Sequence, residues 1–493
     1  MKRQVVLVWM VVCTLILAAC GGGAPAAPAA EPSAPAADTA ASEAVTETTE
    51  TAASDAVTET TDAAAEPAAD ASGVTELKIL WAQWDPADYL QEIGNLYEEQ
   101  TGIKVTMVQE PWGSFYNLAF TEFAAQGDTW DMIVGDSQWL GQAATQGHYI
   151  DMTEFLTSNG IDKTVTPATL TYYGEYPTGS GSYYAYPTEG DANGWAYRKD
   201  LFENPDEQAA FEAEYGYALA VPSTWQELLD IAKFFTRPDA DPPLYGAAIY
   251  TQKDYDAITM GFENVMFSYG ADWKDPATNE VLGIANSPES IAALDFYREL
   301  YQCCSPPGMG NAFFQESNDA FISGQTAMAM NYFAFFPALA SEAINPHAAN
   351  TGYFANPAGP DGDRFAALGG QGISIISYAS PERQQASMDF IKWFAQEEIQ
   401  TEWALYGGYT CNINVLASQE FLDVAPYNAA FAETMTMVKD YWNIPVFGQL
   451  LEVTQRELSG YIVPEDVTDT AEQVLTRMAE EHDKILRENG VLE

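Results

Sequence analysis

Apolar and polar residues follow two different spacings in the stretch that begins near residue 73. Runs rich in β-branched and aromatic residues predict strands over 77–82, 104–108 and 129–136. Between them, apolar residues at helical spacing predict helices over 89–100 and 115–125. Because strands and helices alternate, we expect an α/β fold built on a parallel sheet, in which ligands bind beyond the carboxyl ends of the strands.

The residues at these predicted strand ends share one chemistry. Trp84 and Asp85 follow the first strand, Trp112 follows the second, and Asp136 and Trp139 follow the third. Indole rings offer flat apolar faces, and carboxylates hydrogen-bond to hydroxyl groups, a combination that suits a neutral polyhydroxylated ligand. For each tryptophan taken singly, a place in the hydrophobic core is the alternative.

A second candidate site lies in the stretch 183–200, which is rich in aromatic residues. Here Asp191 and Asn193 stand between Gly190 and Gly194. Glycines let the backbone bend where a carboxylate and an amide converge, which predicts a ligand-facing hinge. An ordinary strand with a glycine-rich bend and a core tryptophan at Trp195 is the alternative.

The second half of the chain carries clear starts of helices. Two overlapping capping boxes, Ser223 with Gln226 and Thr224 with Glu227, predict one start. Ser-Pro pairs at 287–288 and 380–381 predict two more. The stretch 244–250 predicts a strand, and 319–333 predicts a helix, a glycine turn and a further strand. The α/β pattern therefore continues through this half.

The first 73 residues have a different character. Lys2 and Arg3 precede an apolar run over 5–19, which predicts a signal peptide over 1–19; a run of about 15 is short for a membrane helix of roughly 20 residues. The sequence Leu-Ala-Ala-Cys-Gly around Cys20 resembles a bacterial lipobox, which implies lipidation of Cys20. Residues 20–73, acidic and rich in Ala, Pro and Thr, predict a disordered tether. An ordinary signal peptide with an incidental cysteine is the alternative.

The net charge of the chain limits the kinds of molecule that it can bind. The 493-residue chain has 71 acidic and 20 basic residues and a formal net charge of −51 at pH 7. Nucleic-acid phosphates require clustered Lys and Arg, so we expect no nucleic-acid partner. The sequence shows no Gly-x-Ser-x-Gly, His-Glu-x-x-His, P-loop or Cys-x-x-Cys motif, and its three histidines are scattered. We therefore predict no catalytic residue, no metal site and no cofactor.

Three cysteines lie beyond the tether. An odd number in an oxidising compartment leaves at least one unpaired. We predict a bridge from Cys411 to one of the adjacent Cys303 and Cys304, with the other buried; three reduced cysteines are the alternative.

A family resemblance emerges from several motifs taken in order. They are DMIVGD at 131–136, PSTWQEL at 222–228, AFISGQTAM at 320–328, LGGQGI at 368–373 and GGY at 407–409. Together they resemble the extracellular solute-binding proteins of ABC importers, in the maltose-binding-like group (family 1), over about 77–486. With the lipobox, the resemblance is to a bacterial lipoprotein.

The resemblance implies a periplasmic-binding-protein-like α/β fold of two lobes joined by crossing hinge strands, with a ligand cleft between them. It implies one lobe from 74–190 plus about 350–400, and the other from about 191–349 plus 401–493. The first crossing would be 186–197, and the second would follow Met330. A lipid-anchored monomer outside the cytoplasmic membrane would then capture a small neutral solute, a sugar or oligosaccharide, and deliver it to the permease subunits without chemical change. A secreted enzyme that cleaves carbohydrate with paired carboxylates is the alternative function.

The predicted ligand-binding residues come from strand ends, the crossing and motif positions matched to the family. They are Trp84, Asp85, Trp112, Asp136, Trp139, Asp191, Asn193, Asp254, Trp273, Tyr332, Phe333, Gly370, Gln371 and Tyr409.

Overall fold

The computed structural model describes residues 73–253 and 257–493. The predicted lipidation site Cys20 and the candidate residue Asp254 lie outside these described residues, as do the predicted signal peptide and almost all of the tether. Within the described residues, no helix is long and apolar enough to cross a membrane.

The strands and helices alternate along the chain, as the sequence pattern predicts. The strands are β1 Glu76–Ala82, β2 Lys104–Glu110, β3 Met132–Asp136, β4 Tyr186–Glu189, β5 Asn193–Arg198, β6 Tyr245–Ala248, β7 Thr326–Tyr332, β8 Thr351–Phe354, β9 Ala366–Ala367, β10 Gln371–Ile375 and β11 Val438–Lys439. The helices are α1 Asp85–Thr101, α2 Trp112–Ala124, α3 Leu140–Thr145, α4 Thr153–Ser158, α5 Pro167–Thr169, α6 Lys199–Phe202, α7 Pro205–Tyr215, α8 Trp225–Phe235, α9 Ala257–Ser268, α10 Pro288–Cys304, α11 Phe314–Ile322, α12 Phe336–Ala340, α13 Pro381–Phe394, α14 Glu397–Tyr406, α15 Ile413–Leu416, α16 Gln419–Val424, α17 Asn428–Thr434, α18 Phe447–Ile462 and α19 Ala471–Glu488.

The first sheet has the strand order β2-β1-β3-β10-β4. Strands β1, β2 and β3 are parallel, which confirms the predicted arrangement of the first three strands. Strand β10 comes from much later in the chain and runs antiparallel between β3 and β4. Leu77, Ile79 and Leu80 of β1 are fully buried, so the strand lies between apolar layers on both faces.

The second sheet has the order β6-β7-β5-β8 and forms the core of the second lobe. The chain passes from the first sheet to the second between β4 and β5. The prediction of a crossing after Met330 is wrong, because the chain returns to the same sheet in β8. The return to the first sheet falls after Phe354, and the predicted boundary near residue 350 is too early.

Several helix starts carry the predicted caps. The Thr224 hydroxyl accepts the backbone N–H of Glu227, and the Glu227 carboxylate accepts the backbone N–H of Thr224, which completes a capping box at α8. Ser287 and Ser380 cap α10 and α13 with proline at the next position, as predicted. Each such cap contributes about 1 kcal/mol to stability.

The predicted cysteine pairing is wrong. Cys303 and Cys304 are bonded to each other at the end of α10, and Cys411 is a buried free thiol. Burial raises the pKa of the Cys411 thiol well above its ordinary value, so this thiol is neutral.

Candidate functional site

A cavity of about 320 Å³ lies where the carboxyl ends of the first sheet face the second lobe. Six of its lining residues were predicted from the sequence: Trp84, Trp112, Asp136, Asp191, Tyr332 and Gln371. The rest of the lining was not predicted as ligand-binding: Gly113, Ser137, Gln138, Phe313, Phe314, Phe335, Leu368 and Gly369. The cavity is therefore walled by residues of both lobes and of the segments between them.

The first-lobe wall is built from ends of parallel strands. Trp84 occupies the N-cap position of α1 just beyond β1, and Trp112 is the first residue of α2 just beyond β2. Their rings meet edge to face at 5.4 Å between centroids. Asp136 ends β3 and accepts the backbone N–H of Gln138 at 3.1 Å. This wall presents two indoles and a carboxylate, the combination that the strand-end rule predicts.

The orientation of the Gln371 amide is fixed by a buried tryptophan. The indole N–H of Trp81 donates to Oε1 of Gln371 at 2.6 Å. Because an indole N–H only donates, it must be matched by the amide oxygen. The Gln371 amide is therefore held with its NH₂ group as the remaining donor, at a residue that lines the cavity.

Asp191 lies in the crossing between β4 and β5 and is 3% exposed. Its Oδ1 accepts the backbone N–H groups of Ala192 at 2.8 Å and Ala334 at 3.2 Å, so it joins the crossing to the segment after β7. Burial raises the pKa of Asp191 to about 8, although these hydrogen bonds oppose the rise. Burial thus disfavours the charged form of a carboxyl group that lines the cavity.

Two more buried acids lie behind the cavity wall. Burial raises the pKa of Glu189 well above its ordinary value, with Asp191 as a further cause. Burial raises the pKa of Asp440 to about 7, with the nearby charge of Asp136 as a further cause. Asp136 and Asp191 are the titratable acids of the lining, and the described lining includes no Lys, Arg or His.

The second-lobe wall is mostly aromatic. Phe314 and Phe335 stack at 4.1 Å between centroids, and Phe313 lies edge-on to Tyr332 at 6.5 Å. Tyr332 is at the end of β7, where the sequence predicts a ligand contact, whereas Phe313 and Phe314 lie at the start of α11. In the sequence, the adjacent Phe313 and Phe314 at the start of a helix were the feature that could have indicated this wall.

The glycine loop before β10 brings backbone close to two rings. A Cβ on Gly369 would lie 2.5 Å from Cε1 of Tyr332, and one on Gly370 would collide with the hydroxyl of Tyr173. Gly369 lines the cavity, and Gly370 faces Tyr173 and the Glu189 carbonyl. The predicted ligand-binding residue Gly370 therefore lies outside the described lining of the cavity, whereas its neighbour Gly369 belongs to it.

Trp139 does not line this cavity. Its ring packs on Phe115 at 4.9 Å and on Tyr116 at 5.2 Å, because the short 3₁₀ turn after β3 directs it towards α2. It lines a neighbouring cavity of about 530 Å³ with Tyr116 and Phe447, and Trp112 and Gln138 border both cavities.

The other predicted residues that lie outside the cavity have structural partners. Asn193 accepts from Nδ2 of Asn264 at 2.8 Å, and the Trp273 indole N–H donates to Glu263 at 2.9 Å. Tyr409 donates its hydroxyl to the backbone carbonyl of Phe333 at 2.8 Å.

Phe333 and Asp85 lie outside the cavity for opposite reasons. The Phe333 ring is fully buried against Phe336 and Phe431. Asp85 is exposed in the first turn of α1, where a carboxylate favours the helix dipole.

Comparison with known proteins fits this architecture. The model of the family described as bacterial extracellular solute-binding protein matches residues 83–401. The chain belongs to this family. The match begins just after β1 and includes every described residue of the cavity lining, from Trp84 to Gln371.

Two curated relatives are similar over different lengths. A probable ABC transporter-binding protein of Deinococcus radiodurans is 24% identical over 354 residues, which cover 71% of this chain and 79% of that protein. A mannitol-binding protein of Pseudomonas aeruginosa is 27% identical over 148 residues, 30% of each chain.

Solved structures of solute-binding proteins share the fold. One from Agrobacterium radiobacter K84 in complex with ribitol has a TM-score of 0.69 at 22% identity and covers 84% of this chain and 99% of its own. Maltose-bound MalE3 of T. maritima has the same TM-score and identity and covers 83% of this chain and 100% of its own. This solute-binding protein therefore has the two-lobed periplasmic-binding-protein fold.

Proposed function

We propose that this solute-binding protein captures a small polyhydroxylated solute, a sugar or polyol, in the central cavity and delivers it unchanged to the permease of an ABC importer. The observation that carries the proposal is the cavity itself, which combines indole faces, carboxylates and an oriented amide. Relatives and neighbours named for mannitol, ribitol and maltose support this class of solute.

Each predicted contact in the cavity has a defined role in the proposal. Trp84 and Trp112 provide apolar faces for the carbon skeleton, and Tyr332 provides one from the opposite wall. The NH₂ group of Gln371 donates to a ligand oxygen, and the two aspartates accept from ligand hydroxyls or donate when protonated. These groups belong to both lobes, so a bound solute stabilises the arrangement in which the lobes face each other closely.

Transport follows from that preference. A solute that contacts both walls binds the closed arrangement better than an open one, and it shifts the population by that difference in affinity. The permease would then recognise the closed, loaded protein. Six contacts from ring faces, acids and an amide in a small cavity are sufficient for micromolar affinity, which corresponds to about −8 kcal/mol.

The test is a calorimetric titration with ribitol, mannitol and maltose, combined with three variants. Trp84→Ala and Asp191→Ala should each weaken binding by more than about 1 kcal/mol, because each removes a contact inside the cavity. Tyr406→Ala removes an exposed ring at the end of α14 and serves as the matched control. If both cavity variants bind like the control, the assignment of the site is wrong.

Chemical analysis of the same mixtures addresses the alternative function. A binding protein returns maltose and longer glycans unchanged after long incubation, whereas a carbohydrate-cleaving enzyme releases shorter products. Release of products that depends on Asp136 and Asp191 would replace the present proposal.

We also propose lipid anchoring at Cys20. The expected result is that the expressed chain partitions into the detergent phase and that Cys20→Ala moves it to the aqueous phase. Partition of the wild-type chain into the aqueous phase would contradict the anchor.

A further inference from the structure

The central cavity has an unbalanced charge. Asp136 and Asp191 line it, Glu189 and Asp440 are buried directly behind them, and the described lining contains no basic side chain. One oxygen of Glu189, Oε1, is buried without a hydrogen-bond partner. Burying the carboxyl groups of Asp191 and Glu189 with no basic side chain in the described lining is unfavourable, so a cation beside them would stabilise the protein.

The rings around these acids suit a cation as well as a carbon skeleton. Six of the fourteen lining residues are aromatic, with Trp84 and Trp112 on one wall and four rings on the other. The face of an aromatic ring attracts an ammonium group, most strongly for tryptophan, and the attraction grows when water is excluded. An ammonium group beside Asp191 would favour the ionised form of that carboxyl group, and opposite charge and ring faces would then together hold the ammonium group.

The cavity also offers donors for oxygen atoms. The Gln371 amide is held by Trp81 with its NH₂ group remaining as a donor, and the indole N–H of Trp84 is buried without a partner. These donors match hydroxyl oxygens and do not match an ammonium group, which has no acceptor. The cavity thus offers partners for two kinds of group in one ligand, an ammonium group and hydroxyl groups.

We propose that the solute held in the central cavity carries a protonated amine beside its hydroxyl groups, as amino sugars and amino polyols do. This inference rests on the proposed function and replaces its expected neutral solute by a cationic one. The net charge of −51 favours the approach of such a solute to the protein surface.

The test compares matched pairs in which one hydroxyl is exchanged for an amine. The probes are D-mannitol with 1-amino-1-deoxy-D-mannitol, D-glucitol with 1-amino-1-deoxy-D-glucitol, and D-glucose with D-glucosamine, titrated by calorimetry into the full protein at neutral pH. We expect the amine of at least one pair to bind at least tenfold more tightly than its alcohol. Asp191→Asn should reduce that ratio to about one, while Asp206→Asn, which removes an exposed acid of α7, should leave it unchanged.

The other outcomes are distinguishable from one another. If the alcohols bind as tightly as their amines or more tightly, the inference is wrong and the proposed function stands. If neither member of any pair binds, both are wrong for this class of solute. If the preference for the amine persists in Asp191→Asn, the same titration of Asp136→Asn decides whether the other lining acid carries it, and persistence in both variants refutes the role of the acids.

Discussion

Asp191 makes the stability of this protein depend on pH in a way that can be measured. Burial raises the pKa of its carboxyl group from an ordinary value of about 3.9 to about 8. Between these two values the folded protein binds more protons at this position than the unfolded chain does. The free energy of unfolding therefore falls as the pH rises from about 4 to about 8.

The magnitude follows from the two pKa values. The two pKa values differ by about 4, and a difference of one in pKa corresponds to about 1.4 kcal/mol. The free energy of unfolding is therefore lowered by about 5 kcal/mol once the pH is above 8. Asp191→Asn removes the titrating group and keeps a side-chain oxygen for the N–H groups of Ala192 and Ala334. We expect the stability of the variant relative to wild type to increase by about 3 to 4 kcal/mol between pH 5 and pH 9.

The assay is urea unfolding of both proteins without ligand at pH 5, 7 and 9, followed by tryptophan fluorescence. Glu189, Tyr173 and Tyr409 also face Asp191 and are present in both proteins, so the difference reports the exchanged carboxyl group together with its effect on the pKa of these neighbours. The exposed exchange Asp206→Asn should show no such trend. A difference between Asp191→Asn and wild type that stays within about 0.5 kcal/mol at all three pH values would refute the raised pKa.

Three further substitutions test the packing of the second lobe, each by urea unfolding. Asn264→Ala should cost about 3 to 5 kcal/mol, because the Asn264 side chain pairs with three buried polar groups, whereas the exposed Asn95→Ala should cost little. Thr224→Ala should cost about 1 kcal/mol through loss of the cap on α8, and an unchanged midpoint would contradict the capping box. Gly194→Ala should cost about 1 to 3 kcal/mol, since its new Cβ would lie 2.5 Å from the Phe333 ring; Gly448→Ala in α18, where the Cβ meets open space, should stabilise or be neutral.

The first lobe was predictable because local signals and topology agree there. Parallel strands with intervening helices bring their carboxyl ends together, so Trp84, Trp112 and Asp136 were found by position alone. Trp139 satisfies the same rule and still lies elsewhere, because its orientation is set by packing on Phe115. Sequence position therefore identifies the edge of the sheet but not the direction of each ring.

The second lobe shows what local patterns leave out. Phe313 and Phe314 lie at the start of a helix, and only the tertiary arrangement places them opposite the first-lobe tryptophans. Similarly, the 351–354 segment looks like any short strand, and its pairing with β5 shows that the chain has not yet returned to the first lobe. Pairings over long sequence separations are not encoded in a short window.

The place of β10 in the first sheet has a consequence for biosynthesis. Strand β4 pairs with β10 and with no other strand of that sheet, and β10 begins at Gln371. A nascent chain that ends at Phe354 has made every residue of β1 to β4 and still lacks the partner that joins β4 to them. The amino-terminal lobe is thus completed only after the body of its neighbour has been synthesised, because its sheet cannot close before residues 371–375 emerge from the ribosome.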